Sequence, residues 1–332
     1  MNRTALNTTR RQALARLATL ATGLGACAQL RAQPAYPTKP IRLLIGYTAG
    51  GAVDLVARAI AQQLQAALGQ PVDVETTPGA GTNLATRALI DSPADGHTLM
   101  LAANALAANV SLYQPAPYEL ARDITPVALI GRVPVVLAVN AASPHATLGA
   151  LIAAAKAAPK SITYASPGNG STPHLAVELF ERAAAITLTH VPYKGGAQAI
   201  TDVLGGHVAA VAVNALEVQP HVRSGKLRVL AVMTPQRSAI FADVPTVAEA
   251  GFPGFEASVW YGLIAPAGLA PALRDRLHAE TQRALGAPEV KNRLTAAGGE
   301  VLPGSTQAFA DLLASERARY EKLIREARIT PD

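Results

Sequence analysis

The chain has 332 residues, half of them hydrophobic and 16% charged, with a formal net charge of +6. That composition can bury a large core and excludes wholesale disorder, and the length exceeds one ordinary domain of about 100–150 residues. The charge on its own invites an acidic macromolecular partner, so its position along the chain matters.

Residues 1–31 carry Arg3, Arg10, Arg11, Arg16 and Arg31 and no acid, which leaves 24 basic and 23 acidic residues in the remainder. The near balance of the body removes the argument for a nucleic-acid partner. Residues 17–26 are apolar, small and uncharged, shorter than the roughly 20 residues that cross a bilayer. A basic start, an apolar middle and the small residues of Ala26-Cys27-Ala28 have the layout of a secretory signal. Cleavage there or after Ala32 places the signal peptide in residues 1–32 and the mature protein in the periplasm. Thr9-Arg10-Arg11 resembles a twin-arginine signal without the apolar residues expected after it. Leu24-Gly25-Ala26-Cys27 resembles a lipoprotein box, in which Cys27 would carry a lipid anchor; the plainer reading is a small residue beside the cut. Cys27 is the only cysteine, so the expected mature body holds no disulfide and relies on its core.

The body alternates strands and helices. Residues 41–47 form an apolar run of strand length. Val53, Val56, Ala57, Ile60, Leu64 and Leu68 follow at helical spacing, and Gly69 ends that helix. A strand around Val72 and Val74, a helix over 82–90 and a strand over 97–103 complete a βαβαβ pattern, which predicts a parallel sheet with covering helices. A second series begins after the proline-marked stretch from Pro126 to Pro134. It has strands over 133–139, 162–165, 187–191, 208–213 and 227–232, and helices over 148–158, 172–184 and 197–204. Thr172 reads as the N-cap of the middle helix, with Pro173 in its first turn. The tail has a strand over 259–265 and helices over 271–286, 288–296 and 306–327. Two α/β lobes and a helical tail predict a bilobal body with its ligand at the carboxyl ends of the strands.

Four strand-to-helix loops carry glycines and hydroxyls and few charges. Gly50-Gly51-Ala52-Val53-Asp54 leaves backbone N–H groups at a helix start, an anion site or a capped turn. Pro78-Gly79-Ala80-Gly81-Thr82-Asn83 follows the second strand but lacks the third glycine and the ribose-binding acid of a dinucleotide fingerprint, so no cofactor is expected. Ser166 to His174 contains Gly168, Gly170 and Ser171 without a nucleophile elbow. Val191-Pro192-Tyr193-Lys194-Gly195-Gly196 is the fourth. The seven histidines form no metal-ligand pair on a helix face, so no metal is expected. No base or nucleophile stands out, so no catalytic residue is assigned. Backbone N–H groups and neutral side chains suit a carboxylate held reversibly.

In this order and spacing the motifs resemble the tripartite tricarboxylate transporter substrate-binding family, the Bug-type periplasmic receptors. The resemblance covers residues 36–329. It includes Tyr36-Pro37-x-Lys39-Pro40-Ile41, Gly50-Gly51-x-x-Asp54, Pro78-Gly79-Ala80-Gly81 and Asp95-Gly96-x-Thr98-Leu99. It continues through Ser166-x-Gly168 with His174, Val191-Pro192-Tyr193-Lys194-Gly195, Gly225-Lys226-Leu227-Arg228 and Trp260-Tyr261-Gly262. The resemblance implies a two-lobed α/β fold of the periplasmic-binding-protein type II class, each lobe a sheet flanked by helices, joined by two crossovers. Lobe 1 would be 34–130 plus 236–332, and lobe 2 would be 131–235. It implies a monomeric receptor that is not an enzyme, binds a small organic carboxylate and delivers it to membrane permease subunits. By position, the ligand would meet Thr48, Ala49, Gly50, Gly51, Asp54, Gly81 and Thr82 from the first lobe. Ser166, Gly168, His174, Tyr193 and Asn214 would meet it from the second.

Three departures stand out. Thr82 replaces a second glycine after Gly81. Thr48-Ala49 replaces a proline-containing pair. Residues 209–213 (AAVAV) lack the acids that the family often has before Asn214, which leans toward a di- or tricarboxylate or aromatic acid and away from a ligand with an amino group. The competing readings are an exported hydrolase using Ser171 or His174, and a ligand-sensing module that controls a signalling partner.

Overall fold

The computed structural model describes residues 36–296 and 298–331; the signal expected over 1–32, with Cys27, lies outside them. Residues 39–332 form one compact unit. It opens with β1 (Ile41–Ile45), α1 (Ala52–Leu68), β2 (Val72–Thr76), α2 (Asn83–Ile90) and β3 (Thr98–Ala102). β1 is apolar and mostly buried, and α1 turns its apolar stripe inward. Gly69, in the left-handed conformation, donates its N–H to the Gln65 carbonyl and ends α1. β1 pairs in parallel with both β2 and β3, as the alternation predicted.

α3 (Ala105–Leu112) and α4 (Leu120–Asp123) lead into β4 (Ile124–Asn140). α5 (Leu148–Ala157), β5 (Thr163–Ser166), α6 (Thr172–Ala184), β6 (Thr189–Pro192), α7 (Gly196–Leu204), β7 (Ala210–Asn214), α8 (Ala215–Arg223) and β8 (Leu227–Val232) follow. β9 (Ser258–Pro266), α9 (Pro271–Gly286), α10 (Pro288–Ala296), β10 (Glu300–Val301) and α11 (Thr306–Ala327) complete the unit. β5 pairs in parallel with β6 and β7.

β4 corrects the sequence reading. The stretch from Pro126 to Pro134, expected to separate two series, lies inside one continuous strand of 17 residues. Its first part, Ile124 to Pro134, runs antiparallel to β9, and its second part pairs with β7 and β8. Pro126 sits at a register shift of the β4–β9 ladder, where a residue without an N–H is tolerated. The sheet order is β2-β1-β3-β9-β4-β7-β5-β6. The tail therefore returns to the first set of strands, and β4 belongs to both.

Each set has its own core. One core gathers β3, β9, α3 and α11 around Leu106, Trp260, Ile264, Phe309 and Leu323. The other gathers β4, β7, β8 and α7 around Val136, Ile200, Val211 and Val229. Phe309 is fully buried, packs edge-on against Trp260 with centroids 5.6 Å apart, and fills the space above Gly262, where any Cβ would overlap its ring.

Candidate functional site

The loops after β1, β2, β5 and β6 meet at one place. In the first, Asp54 is buried. Its Oδ2 accepts the Gly50 N–H at 3.0 Å and its Oδ1 lies 2.9 Å from Arg58 Nε. Asp54 thus folds its own loop. Ala49 and Gly50 form its exposed crest. Thr48 donates its N–H to the Lys194 carbonyl at 3.1 Å, tying the first loop to the fourth.

In the second loop Gly79, Ala80, Gly81 and Thr82 all have positive φ. Thr82, a β-branched residue at φ 81°, is in a conformation it rarely adopts. Its side chain packs on Gly46, where a Cβ would come within 2.5 Å of Thr82 Cβ. Asn109 Nδ2 donates to the Gly81 carbonyl at 2.6 Å and fixes the loop from beneath.

The third loop rests on two histidines. Ser166 Oγ is 2.7 Å from His190 Nε2 and accepts the Gly168 N–H at 3.1 Å. The His174 and His190 rings stack with centroids 4.1 Å apart. His174 Nδ1 accepts the Gly170 N–H at 3.2 Å. Burial, followed by the charge of His174, pushes the His190 imidazole down to about 3. Ser166 and His174 are both buried and frame the loop from behind. His190 lies within a strand, and sequence reasoning passed over it.

Ser171, not Thr172, is the N-cap of α6, and its Oγ accepts the His174 N–H at 3.4 Å. That hydroxyl serves the helix end, and His174 Nε2 faces Glu178 at 3.6 Å. Neither arrangement is a nucleophile–base pair. Ser171→Ala is expected to cost about 1 kcal/mol of stability in urea denaturation and to leave ester turnover at the uncatalysed rate. A measurable wild-type esterase activity lost in the variant would restore the hydrolase reading.

Gly81, Thr82, Gly168, Tyr193 and Lys194 line a cavity of about 300 Å³, with Tyr47 in its wall. Lys194 is the one Lys or Arg among the lining residues. The Tyr193 hydroxyl donates to Asp202, which fixes the ring at the rim. A second cavity, of about 20 Å³, shares Tyr47 and Pro167 with the first and is lined by Gly51, Thr172, Asn214 and Glu217. A larger cavity of about 360 Å³ lies apart, beside Arg132, Arg237 and Ser238. Its guanidiniums are already paired with Glu300 and Glu249, so it offers a carboxylate less than the glycine loops do. Among the described residues, no group of three or more His, Cys, Asp or Glu is placed to hold a metal. Among them also, no helix is long and apolar enough to cross a membrane.

Glu217 is the site residue that sequence reasoning missed. Its Oε1 accepts the Ala52 N–H at the start of α1 at 3.2 Å and Asn214 Nδ2 at 2.9 Å. Like Asp54 it is an acid in the first turn of a helix, but no glycine loop precedes it, and its partner from α1 is distant in the chain. Burial outweighs the hydrogen bonds from Asn214 and Ala52 and raises the Glu217 carboxyl to about 7. Glu181 is likewise raised to about 7, by burial above all, against the Leu188 N–H and with Glu178 nearby. A carboxyl whose folded pKa lies above its unfolded value keeps a proton that the unfolded chain gives up. Stability is therefore expected to fall as pH rises from about 4.5 to about 7 and to flatten above, by a few kcal/mol at most. Glu217→Gln should shrink that fall in urea titrations at stepped pH. A stability that rises through this window, with the same slope in the variant, would contradict the assignment.

The chain matches the model of the tripartite tricarboxylate transporter family receptor over residues 56–329. It is 38% identical to protein BugT of Bordetella pertussis over 293 residues, 88% of this chain and 90% of that protein. A solved R. palustris protein with adipate superimposes with a TM-score of 0.85 at 34% identity, covering 90% of this chain and all of that one. MatC of Rhodopseudomonas palustris, with bound malate, has a TM-score of 0.83 at 30% identity, covering 87% of this chain and all of MatC. The fold is thus the two-lobed α/β fold of periplasmic binding proteins, each lobe a sheet with flanking helices.

Proposed function

We propose, because the chain belongs to the tripartite tricarboxylate transporter family of receptors, that it captures a small organic carboxylate in the periplasm and delivers it to membrane permease subunits. The ligand class is a di- or tricarboxylate or an aromatic acid. The working division is lobe 1 over 34–130 plus 236–332 and lobe 2 over 131–235, with the receptor acting as a monomer.

The observation that carries this reading is the meeting of glycine-rich loops and one ammonium group around a cavity of about 300 Å³. Lys194, the one Lys or Arg in the lining, attracts an anion without a basic patch. Gly51, Gly81, Thr82, Gly168, Tyr193 and Asn214 line the two adjoining cavities and are assigned direct ligand contact. Thr48, Ala49, Gly50, Asp54, Ser166 and His174 shape the loops that present those contacts. A ligand bridging both sets of loops favours the arrangement in which they meet, which is the form a permease would read.

The test is melting of the mature chain against a panel of carboxylates. A one-site ligand at 100 times its Kd adds about 2.7 kcal/mol of stability, with no conversion of the ligand detected. The reading fails if no carboxylate shifts the melt and none is retained by freshly purified protein in native mass spectrometry. Delivery is tested separately: uptake of the identified ligand should require both the receptor and the permease.

A further inference from the structure

We infer that the meeting of the two sets of loops is proton-linked: as they come together the protein takes up a proton from water at Glu217, and as they part it gives that proton back. This rests on the receptor reading above and adds a second, regulating ligand, the proton, to the same site.

Hydrogen bonds cross the seam between the two sets. The Thr48 N–H reaches the Lys194 carbonyl at 3.1 Å, and the Ala52 N–H at the start of α1 reaches Glu217 Oε1 at 3.2 Å. Of these two, only the second ends on a group that can change its charge. Glu217 shares a cavity of about 20 Å³ with Tyr47, Ala52 and Val53 from the first set and with Thr172, Gly196 and Asn214 from the second. Gly196 carries no side chain where a Cβ would overlap Glu217 Oε2, so the carboxyl is admitted into the seam. Parting the two sets exposes it to water.

Three oxygens in that cavity lack a donor. Asn214 Oδ1, Thr172 Oγ1 and Glu217 Oε2 are buried without a hydrogen-bond partner in the protein. Glu217 is the one acid in the lining, which holds no Lys, Arg or His. An ionised carboxylate there would be an uncompensated charge in a place already short of N–H and O–H groups. A proton on Oε2 removes the charge and supplies a donor at once. The groups on the surrounding elements do not oppose this. Asp54 and Arg58 on α1 face each other at 2.9 Å. His174 on α6 faces Gly170 and Glu178, and Lys194 lines the larger cavity. Tyr47 and Tyr261 on β9 are pushed up by burial first and by Glu217 second, and stay neutral.

Burial in the closed seam raises the Glu217 carboxyl from 4.5 to about 7, and exposure in the parted one returns it toward the lower value. Between these values only the closed arrangement keeps the proton. Acid therefore favours the meeting, and rising pH favours parting by up to about tenfold per pH unit, with no further effect above about 7. Any ligand that needs both sets is held most tightly at acid pH, and its release gives up the proton.

Hydrogen exchange at single amides, followed by NMR on the mature chain with no carboxylate ligand added, tests this. The Thr48 and Ala52 N–H bonds cross the seam, whereas the Leu55 N–H bonds the Gly51 carbonyl at 3.1 Å and reports α1 itself. After correction for the intrinsic pH dependence of exchange, protection at Thr48 and Ala52 should fall at least tenfold between pH 4.5 and 7 and then level off, while Leu55 holds. Glu217→Gln keeps an acceptor for the Ala52 N–H and cannot ionise, so it should show the acid level of protection throughout. Glu181→Gln, altered within the second set at a carboxyl that accepts the Leu188 N–H, should respond as the wild type does. Melting curves verify the fold of both variants, and the wild-type profile decides alone if either fails to fold. Level protection in the wild type, an equal fall in Glu217→Gln, or a matching fall at Leu55 overturns the inference. None of these touches the receptor reading, which the carboxylate panel tests separately.

Discussion

Gly81→Val is expected to lower carboxylate affinity at least 100-fold while removing only about 1–2 kcal/mol of stability, the usual cost of forcing a side chain into the left-handed region. Gly81 has φ 60°, and a Cβ there would stand 2.9 Å from the Tyr113 hydroxyl and 3.1 Å from the Asn169 carbonyl. Tyr113 belongs to the same set of loops, but Asn169 reaches over from the β5–α6 loop. The branched side chain therefore acts mainly against the meeting of the two sets of loops. The backbone strain is tolerable because Ala80 and Thr82, on either side, already hold positive φ without being glycine. Titration calorimetry and urea denaturation separate the two effects. A variant that loses stability in proportion to its affinity would show that Gly81 serves the fold.

Phe309→Ala should destabilise by about 3–5 kcal/mol, the range for deleting a buried aromatic side chain. The upper end is expected here. Neighbouring side chains cannot relax into the void from Gly262, which has none, and the Trp260 ring is held by its indole N–H, which donates to Glu316 Oε2 at 3.4 Å. The loss should appear in urea as a lower midpoint with little change in slope. A loss below 1 kcal/mol would mean that α11 is not fixed to the sheet through this ring.

Much of the fold was legible because the chain states it locally. α1 displays its apolar stripe and its glycine stop, and α9, α10 and α11 match the helices read over 271–286, 288–296 and 306–327. Besides the short α4 and β10, three elements escaped for physical reasons. α3 is buried almost all round and so shows no polar face to set a period. α8 contains Pro220, which reads as a helix breaker. The first half of β4 hides behind prolines that a bulged ladder accommodates. At the site, the glycine loops were legible as motifs, since backbone conformation is written in glycine positions. Glu217 and His190 were not, because their roles come from what tertiary packing brings against them: an N–H from α1 165 residues earlier in one case, a second imidazole in the other.

The placement of β9 sets the order in which the protein is completed. β9 lies between β3 and β4 in the sheet, yet it comes more than a hundred residues after either begins. Until residues 258–266 are available, β3 and the first part of β4 each present an open edge, and the aromatic core around Trp260 has no floor. Long-range pairing of this kind slows folding and leaves sticky intermediates. The chain thus postpones its own compaction until most of it exists.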